Sequence, residues 1–277
     1  MKTLILLTDL VGIWILKNDK GYENLLKKFC KEHNLNLEVL YKTREEFLSK
    51  YRKLVRVGKI NYYEFEEKIF KQIDKKNYRK LAREYIKFEI KNCKMFLKLD
   101  KNAKNVLRKL KRMGIKIIGI TDAIKPSKLK KEELKVLGIS KYFDKIYSSH
   151  DLKCEKPEAF KHFKNLVDRA VFLGHDDDEI LGAGKFGFLT IGLKNKKANI
   201  MIKSLKQLVE VLQKFRVNFT TGWWIKVFKV YCRITRIKVR KLELMLYGIP
   251  AGITASYVIA RAAGRVEYNP YLDASIR

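Results

Sequence analysis

The sequence predicts an α/β fold built on a doubly wound parallel sheet, and three observations carry that expectation. Short apolar runs at residues 4–7, 117–120 and 171–173 are long enough for strands and too short for helices. Each lacks polar alternation, as in strands covered on both faces. Between them lie stretches with apolar residues at helical spacing, the alternation that builds parallel sheets.

The first run, Leu4-Ile5-Leu6-Leu7-Thr8, stops at Asp9 and turns through Gly12. A carboxylate there stands at the carboxyl end of a strand, where open α/β sheets place their chemistry. It is suited to nucleophilic attack; its plainer reading is the cap of a turn. The second run, Lys116 to Ile120, ends in Thr121-Asp122. Lys156 then precedes Pro157, which can open a helix. The third run, Val171-Phe172-Leu173-Gly174, leads into His175-Asp176-Asp177-Asp178-Glu179.

Between the first and second runs lie many helical signals. Thr43-Arg44-Glu45-Glu46 and Asn61-Tyr62-Tyr63-Glu64 have the form of capping boxes. Phe47, Tyr51 and Leu54 follow the first, and Phe65, Ile69, Phe70 and Ile73 the second; Leu81, Tyr85 and Phe88 mark a further helix. Tyr62, Tyr63 and Phe65 are expected in the core of this insert rather than against a substrate, because large aromatics mostly bury. Val106, Leu107, Leu110 and Met113 form one helical face stopped by Gly114; Leu129, Leu134 and Leu137 precede a similar stop at Gly138. Ile146-Tyr147 reads as a short strand, and Phe186, Phe188, Leu189 and Ile191 as the last core strand.

In this order, carboxylate, hydroxyl, lysine and acidic loop, the chain resembles the haloacid dehalogenase-like hydrolase superfamily over roughly residues 1–195. The resemblance implies that Asp9 is the nucleophile, that Thr121 bonds a phosphoryl oxygen with Asp122 beside it, and that Lys156 offsets charge on nucleophile and substrate. It implies magnesium held by Asp9, Asp178 and Glu179. It also implies a core of residues 1–14 and 97–212 with a helical cap at 15–96. Two positions depart from the family pattern. Val11 stands where phosphatases of the family carry a second aspartate as general acid and base. His175 stands where an aspartate usually binds magnesium, an ion that prefers oxygen. The expected activity is therefore hydrolysis of a small anionic, phosphorylated substrate by reduced or altered phosphatase chemistry. A proton donor from elsewhere, His175 or a cap residue, is one route. The alternative is a catalytically degenerate member that binds nucleic acid or an anionic membrane.

That alternative draws on composition. The chain of 277 residues has 61 Lys+Arg against 30 Asp+Glu, a formal charge of +31. Hyperthermophile proteins rich in lysine usually match it with glutamate; here the match fails, and the field favours a polyanion partner. Hydrophobic content of 47% supplies a sizeable core. Cys30, Cys93, Cys154 and Cys232 show no paired metal spacing; they read as thiols in a reducing, cytoplasmic setting. The first apolar run is too short for a signal peptide.

From residue 213 onward, to 277, the resemblance gives no guidance. Trp223 and Trp224 precede Lys226, Lys229, Arg233, Arg236, Lys238, Arg240 and Lys241, with Ile225, Phe228, Tyr231, Ile234 and Ile237 at three-residue spacing. This reads as a basic amphipathic helix, suited to a membrane interface, to nucleic acid, or to packing on the core. The apolar stretch 245–260 falls short of the about 20 residues needed to span a bilayer and contains Pro250. If about six of these charges meet nucleic-acid phosphates, affinity falls roughly a thousandfold between 50 and 200 mM salt. A chain ending near residue 212 is expected to lose most of this binding in a salt series on RNA, DNA and anionic vesicles. Equal binding by the shortened chain would move the interaction to the core.

Overall fold

The run at residues 4–7 forms the centre of the sheet because its side chains are covered on both faces. Leu4 and Leu6 join one apolar cluster, and Ile5 and Leu7 the other. The structure, a computed structural model, describes residues 3–218. In chain order these form β1 (Ile5–Thr8), β2 (Ile15–Lys17), α1 (Asp19–His33), α2 (Leu37–Arg56), α3 (Tyr62–Ile73), α4 (Tyr78–Lys91), β3 (Leu97–Leu99), α5 (Ala103–Arg112) and β4 (Lys116–Thr121). There follow α6 (Ser127–Val136), β5 (Lys145–Ser148), α7 (Ser149–Leu152), a 3-10 run at Glu158–Arg169, β6 (Ala170–Gly174), α8 (Asp177–Lys185), β7 (Leu189–Leu193), β8 (Ile200–Ile202) and α9 (Leu205–Asn218).

The main sheet has the order β5-β4-β1-β6-β7-β8, and every pairing is parallel. The expected doubly wound parallel sheet is therefore present. Chain order runs outward from β1 through β4 to β5, then returns to β6 on the other side of β1. That reversal opens a crevice at the carboxyl ends of β1, β4 and β6. Thr8 sits opposite Gly119 of β4 and Leu173 of β6, so Asp9, Thr121 and His175 leave the sheet at one edge.

One face of the sheet is covered by α5, α6 and α9 through Val106, Leu107, Leu110, Leu129, Leu134, Leu205, Leu208 and Leu212. The other is covered by the 3-10 run and α8 through Phe160, Phe163, Ile180 and Ala183. Helices α1–α4 lie between β2 and β3, which pair antiparallel as a two-stranded neck. Phe29, Phe65, Phe70 and Tyr85 fill this insert, and their cluster is continuous with the first face of the sheet. Arg44 is buried inside the insert and donates to both oxygens of Glu66 at 2.6 and 3.1 Å.

The junction of insert and sheet domain is ionic and buried. Lys125 lies 2.8 Å from Glu89 of α4 and 2.5 Å from Glu133 of α6, which also accepts from Lys130 at 2.6 Å. Removing one partner of a buried pair strands the other charge, at a cost of about 3–5 kcal/mol.

Several expectations shift in register. Thr43 is buried in the middle of α2, which is capped by Asn36 accepting from the Val39 amide. Asn61 does cap α3, accepting from the Tyr63 amide at 2.8 Å. Tyr62 and Phe65 are buried in the insert, while Tyr63 is exposed. Phe186 and Phe188 precede β7 instead of lying in it, and β8 adds a further strand at the sheet edge. The boundary placed at residue 212 cuts α9, where Leu212 is buried in the core. A truncation that spares the fold must fall beyond residue 218. The basic residues Lys226 to Lys241 and the apolar stretch 245–260 lie outside the described residues. No helix among the described residues is long and apolar enough to cross a membrane.

The junction sets a pH response. Burial opposes ionisation of Glu133, but Lys125 and Lys130 outweigh it and bring its carboxyl from 4.5 down to about 2. A depressed carboxylate stabilises the fold fully above its unfolded value, and that stability is lost as pH falls. Thermal midpoints should therefore drop between pH 4.5 and about 2. Glu133→Gln should lower the midpoint at pH 7 and flatten the acid-side slope. An unchanged slope would show that other groups control acid unfolding.

Candidate active site at the end of the central strand

Asp9 is the residue at which β1 stops. Its amide still donates to the Leu173 carbonyl at 3.1 Å, which extends the β6 pairing by one residue. The chain then folds back tightly. The Trp14 and Ile15 amides donate to the Leu10 carbonyl, and the buried Trp14 indole donates to the Thr8 hydroxyl at 2.9 Å. This holds the Asp9 side chain inward, where it is 4% exposed.

Lys156 reaches Asp9 from the loop after α7. Its Nζ is 2.7 Å from Asp9 Oδ1 and also contacts Glu179 Oε1. Its amide donates to Asp122 Oδ1 at 3.1 Å, and the Lys156–Pro157 peptide is cis. Gly182 of α8 packs on Pro157, and a Cβ there would come within 2.2 Å of the proline Cβ. Burial disfavours the ammonium, but Asp9, Glu179 and Asp122 outweigh it and raise Lys156 above its ordinary value. Asp122 is raised by burial, with Lys156 opposing. Burial and then the Asp9 charge push the Glu179 carboxyl up to about 7, with Lys156 pulling it back.

Thr121 ends β4 at 2% exposure, on the same sheet edge as Asp9. Among the described residues no hydrogen bond engages its hydroxyl. His175 follows β6. Its Nδ1 lies 3.8 Å from Asp9 Oδ2 and its Nε2 lies 3.5 Å from Asp176 Oδ1. Its ring occupies the space in front of Gly12, where a Cβ would fall 2.1 Å from Nε2. Gly12 also has φ +83°, so both the ring and the backbone require glycine there.

The structure thus brings Asp9, Lys156, Asp122 and Glu179 together, with Thr121 at the same edge. Asp178 departs from its expected place: it is exposed on α8 and outside the group formed by Asp9, His175 and Glu179. The cause is helical geometry. From the N-terminus of α8 at Asp177, Glu179 turns toward the sheet while Asp178 turns to solvent. Val11 is half-buried in the loop after Asp9 and has no group that transfers a proton.

Three features carried no sequence signal. Asn195 donates to the His175 carbonyl at 2.9 Å and to Asp177 Oδ1 at 2.7 Å, clamping the acidic loop. Arg56 at the end of α2 pairs with Glu155 at 2.7 Å, and the Val55 carbonyl meets His150 Nδ1 at 2.7 Å. These contacts tie the insert to the segment that carries Lys156. Lys17 in the neck reaches solvent but is partly covered; that covering lowers it, and then the nearby charges of Lys130, Arg56 and Arg52 do. A shallow groove of about 800 Å³ between α1 and α2, lined by Glu23, Lys27, Leu37 and Tyr41, contains none of the site residues.

A buried carboxylate at the end of the central strand, a lysine paired with it and an inserted helical unit beside a parallel sheet define a hydrolase of the α/β class. The sequence profile described as haloacid dehalogenase-like hydrolase matches residues 20–191, and the chain belongs to that family. The match begins beyond Asp9. A protein named "Putative pyrophosphatase PpaX", from Caldanaerobacter subterraneus subsp. tengcongensis, is 28% identical over 134 residues, 43% of this chain and 60% of that one. The chain therefore spans about 60% of the length of that relative. A 2-haloacid dehalogenase from Pseudomonas syringae pv. Tomato DC3000 superposes with a TM-score of 0.59 at 18% identity, covering 77% of this chain and 100% of the other. The HAD-hydrolase YfnB from Bacillus subtilis, described as bound to magnesium, superposes at 0.53 with 19% identity and the same coverages. At these identities the two structures establish the fold.

Magnesium is the ion this family generally uses. The donor set here departs from a magnesium set. One of the three grouped ligand atoms is an imidazole nitrogen, and magnesium takes oxygen. Lys156 already supplies a cation to both carboxylates.

Proposed function

We propose that the protein is a hydrolase in which the Asp9 carboxylate attacks the phosphorus of a small anionic phosphorylated substrate. The observation that carries this reading is the buried Asp9 carboxylate, at the carboxyl end of the central strand, paired with an almost fully buried Lys156. The Lys156 ammonium lies 2.7 Å from Asp9 Oδ1, where it holds and orients the carboxylate. It also offsets the charge that gathers on the phosphoryl oxygens in the transition state. The free Thr121 hydroxyl, on the same edge, is available to donate to one of those oxygens. Lys17, Arg52, Arg56 and Lys130 make the neck and α2 side of the site positive, which favours an anionic ligand. The insert, tied down through Arg56 and His150, serves as the cap that excludes water.

In the first step the Asp9–phosphorus bond forms and the bond to the leaving group breaks. Water then attacks the phosphorus, its protons pass to the phosphoryl oxygens and leave with the inorganic phosphate, and the Asp9 carboxylate departs and is regenerated. A carboxylate leaves without a proton, so the second step needs no acid. The first step does, unless the leaving group is stable as an anion, because Val11 cannot donate. This selects phosphoanhydrides, acyl phosphates and aryl phosphates over alkyl esters. The pyrophosphatase name of the relative 28% identical to this chain fits that class, since pyrophosphate is a phosphoanhydride. The second reading, a non-catalytic polyanion-binding protein, rests on Val11 and the charge of +31.

The test is kcat/KM across pyrophosphate, aryl phosphates and alkyl phosphates. General acid catalysis is typically worth about 10²- to 10⁴-fold. The alkyl esters should trail by that order, and Val11→Asp should narrow the gap. Asp9→Asn should abolish turnover of every substrate. Equal rates on alkyl and aryl esters would contradict the leaving-group argument. Turnover that survives Asp9→Asn would remove the nucleophile, and no turnover at all would leave the binding protein.

A further inference from the structure

We infer that the space bounded by Asp9 Oδ2, His175 Nδ1 and Glu179 Oε2 binds a divalent transition-metal ion of borderline softness, such as Zn²⁺ or Co²⁺, in preference to magnesium. The ligand atoms of these three residues lie within 4.8 Å of one another. A spread of that size accommodates one ion at bonds of about 2.0–2.2 Å with small side-chain movements.

Unmet hydrogen bonding points to the same place. Buried polar atoms without partners are few in native proteins, and each calls for a cause such as a bound ion. Among the described residues three buried side-chain atoms lack a partner: Arg44 Nε, His175 Nδ1 and Glu179 Oε2. Two of the three belong to residues of this one group. Arg44 Nε lies within the insert, beside the Glu66 pair.

The division of oxygens is equally specific. Lys156 engages Asp9 Oδ1 and Glu179 Oε1, so the ammonium and an ion would use opposite oxygens of the same two carboxylates. One ammonium faces two carboxyl groups here, and a divalent ion would add positive charge that suits an anionic ligand.

The other ring nitrogen of His175 has a carboxylate within reach. Metal-bound histidines almost always give their other ring nitrogen to a carboxylate, a carbonyl or water. His175 Nε2 lies 3.5 Å from Asp176 Oδ1, and Asn195 clamps the carbonyl of His175 itself. Gly12 leaves the room the ring occupies. One nitrogen and two carboxylate oxygens form a donor set that zinc and cobalt accept and that magnesium disfavours. Three protein donors also leave coordination positions open to water or substrate.

The experiment is calorimetric titration of the metal-free full chain with Zn²⁺, Co²⁺ and Mg²⁺ separately, with the visible spectrum of the Co²⁺ form as a second readout. No substrate is present, so the result stands apart from the hydrolase reading. One Zn²⁺ or Co²⁺ per chain is expected, bound at least about tenfold more tightly than Mg²⁺. His175→Ala should remove that preference and bleach the Co²⁺ spectrum, whereas His175→Asp should shift the preference toward Mg²⁺. Asp176→Asn should weaken Zn²⁺ by about 10- to 100-fold. Cys154→Ser, which breaks the 3.5 Å contact of Cys154 Sγ with His162 on the surface, should change nothing. Wild-type affinity for Mg²⁺ equal to that for Zn²⁺, Zn²⁺ binding unaffected by His175→Ala, or no binding of any of the three ions would each overturn the inference.

Discussion

The buried ammonium of Lys156, shared between Asp9 and Glu179, is the interaction on which the site is built. Two carboxylates at the end of a covered sheet repel each other and resist ionisation in a dry setting. One cation between them relieves both effects. It also fixes relative positions, because the three residues come from separate parts of the chain: the end of β1, the loop before the 3-10 run, and the first turn of α8. Burial and the Asp9 charge still push the Glu179 carboxyl up to about 7 against the pull of Lys156.

The same logic recurs away from the chemistry. Lys125 between Glu89 and Glu133 joins α4 of the insert to α6 of the sheet domain. Arg44 holds Glu66 within the insert. In both places a buried cation is met by carboxylate oxygens at hydrogen-bond distance, which is the condition for tolerating buried charge. The insert is thereby held to the sheet domain by an apolar cluster, an ionic junction and the Arg56–Glu155 pair. Its position over the segment carrying Lys156 follows from packing that does not depend on a ligand.

Much of this was legible in the sequence, for identifiable reasons. Strands β1, β4 and β6 are continuous apolar runs because both of their faces are covered. The residues that end them are polar because the crevice begins there. Strand β8 is three residues long and follows a basic loop, so it offered no pattern to read. Thr43 has the composition of a cap but lies mid-helix, since capping boxes are local and α2 is longer than the local signal. The choice between Asp178 and Glu179 depends on helical phase at the start of α8, which an acidic run does not disclose. Asn195 is one asparagine among lysines, and only the fold brings it to His175. The residues from 219 onward lie outside the described residues.

The central claim is that Asp9 forms a covalent bond to its substrate. It is tested most directly by acid-quenching a single turnover of pyrophosphate or an aryl phosphate and measuring the mass of the peptide that carries Asp9. The account predicts one added phosphoryl group on Asp9, appearing and decaying within the turnover and absent from Asp9→Asn. Turnover at the same rate with no modified peptide at any quench time, or with the phosphoryl group on another residue, would contradict it.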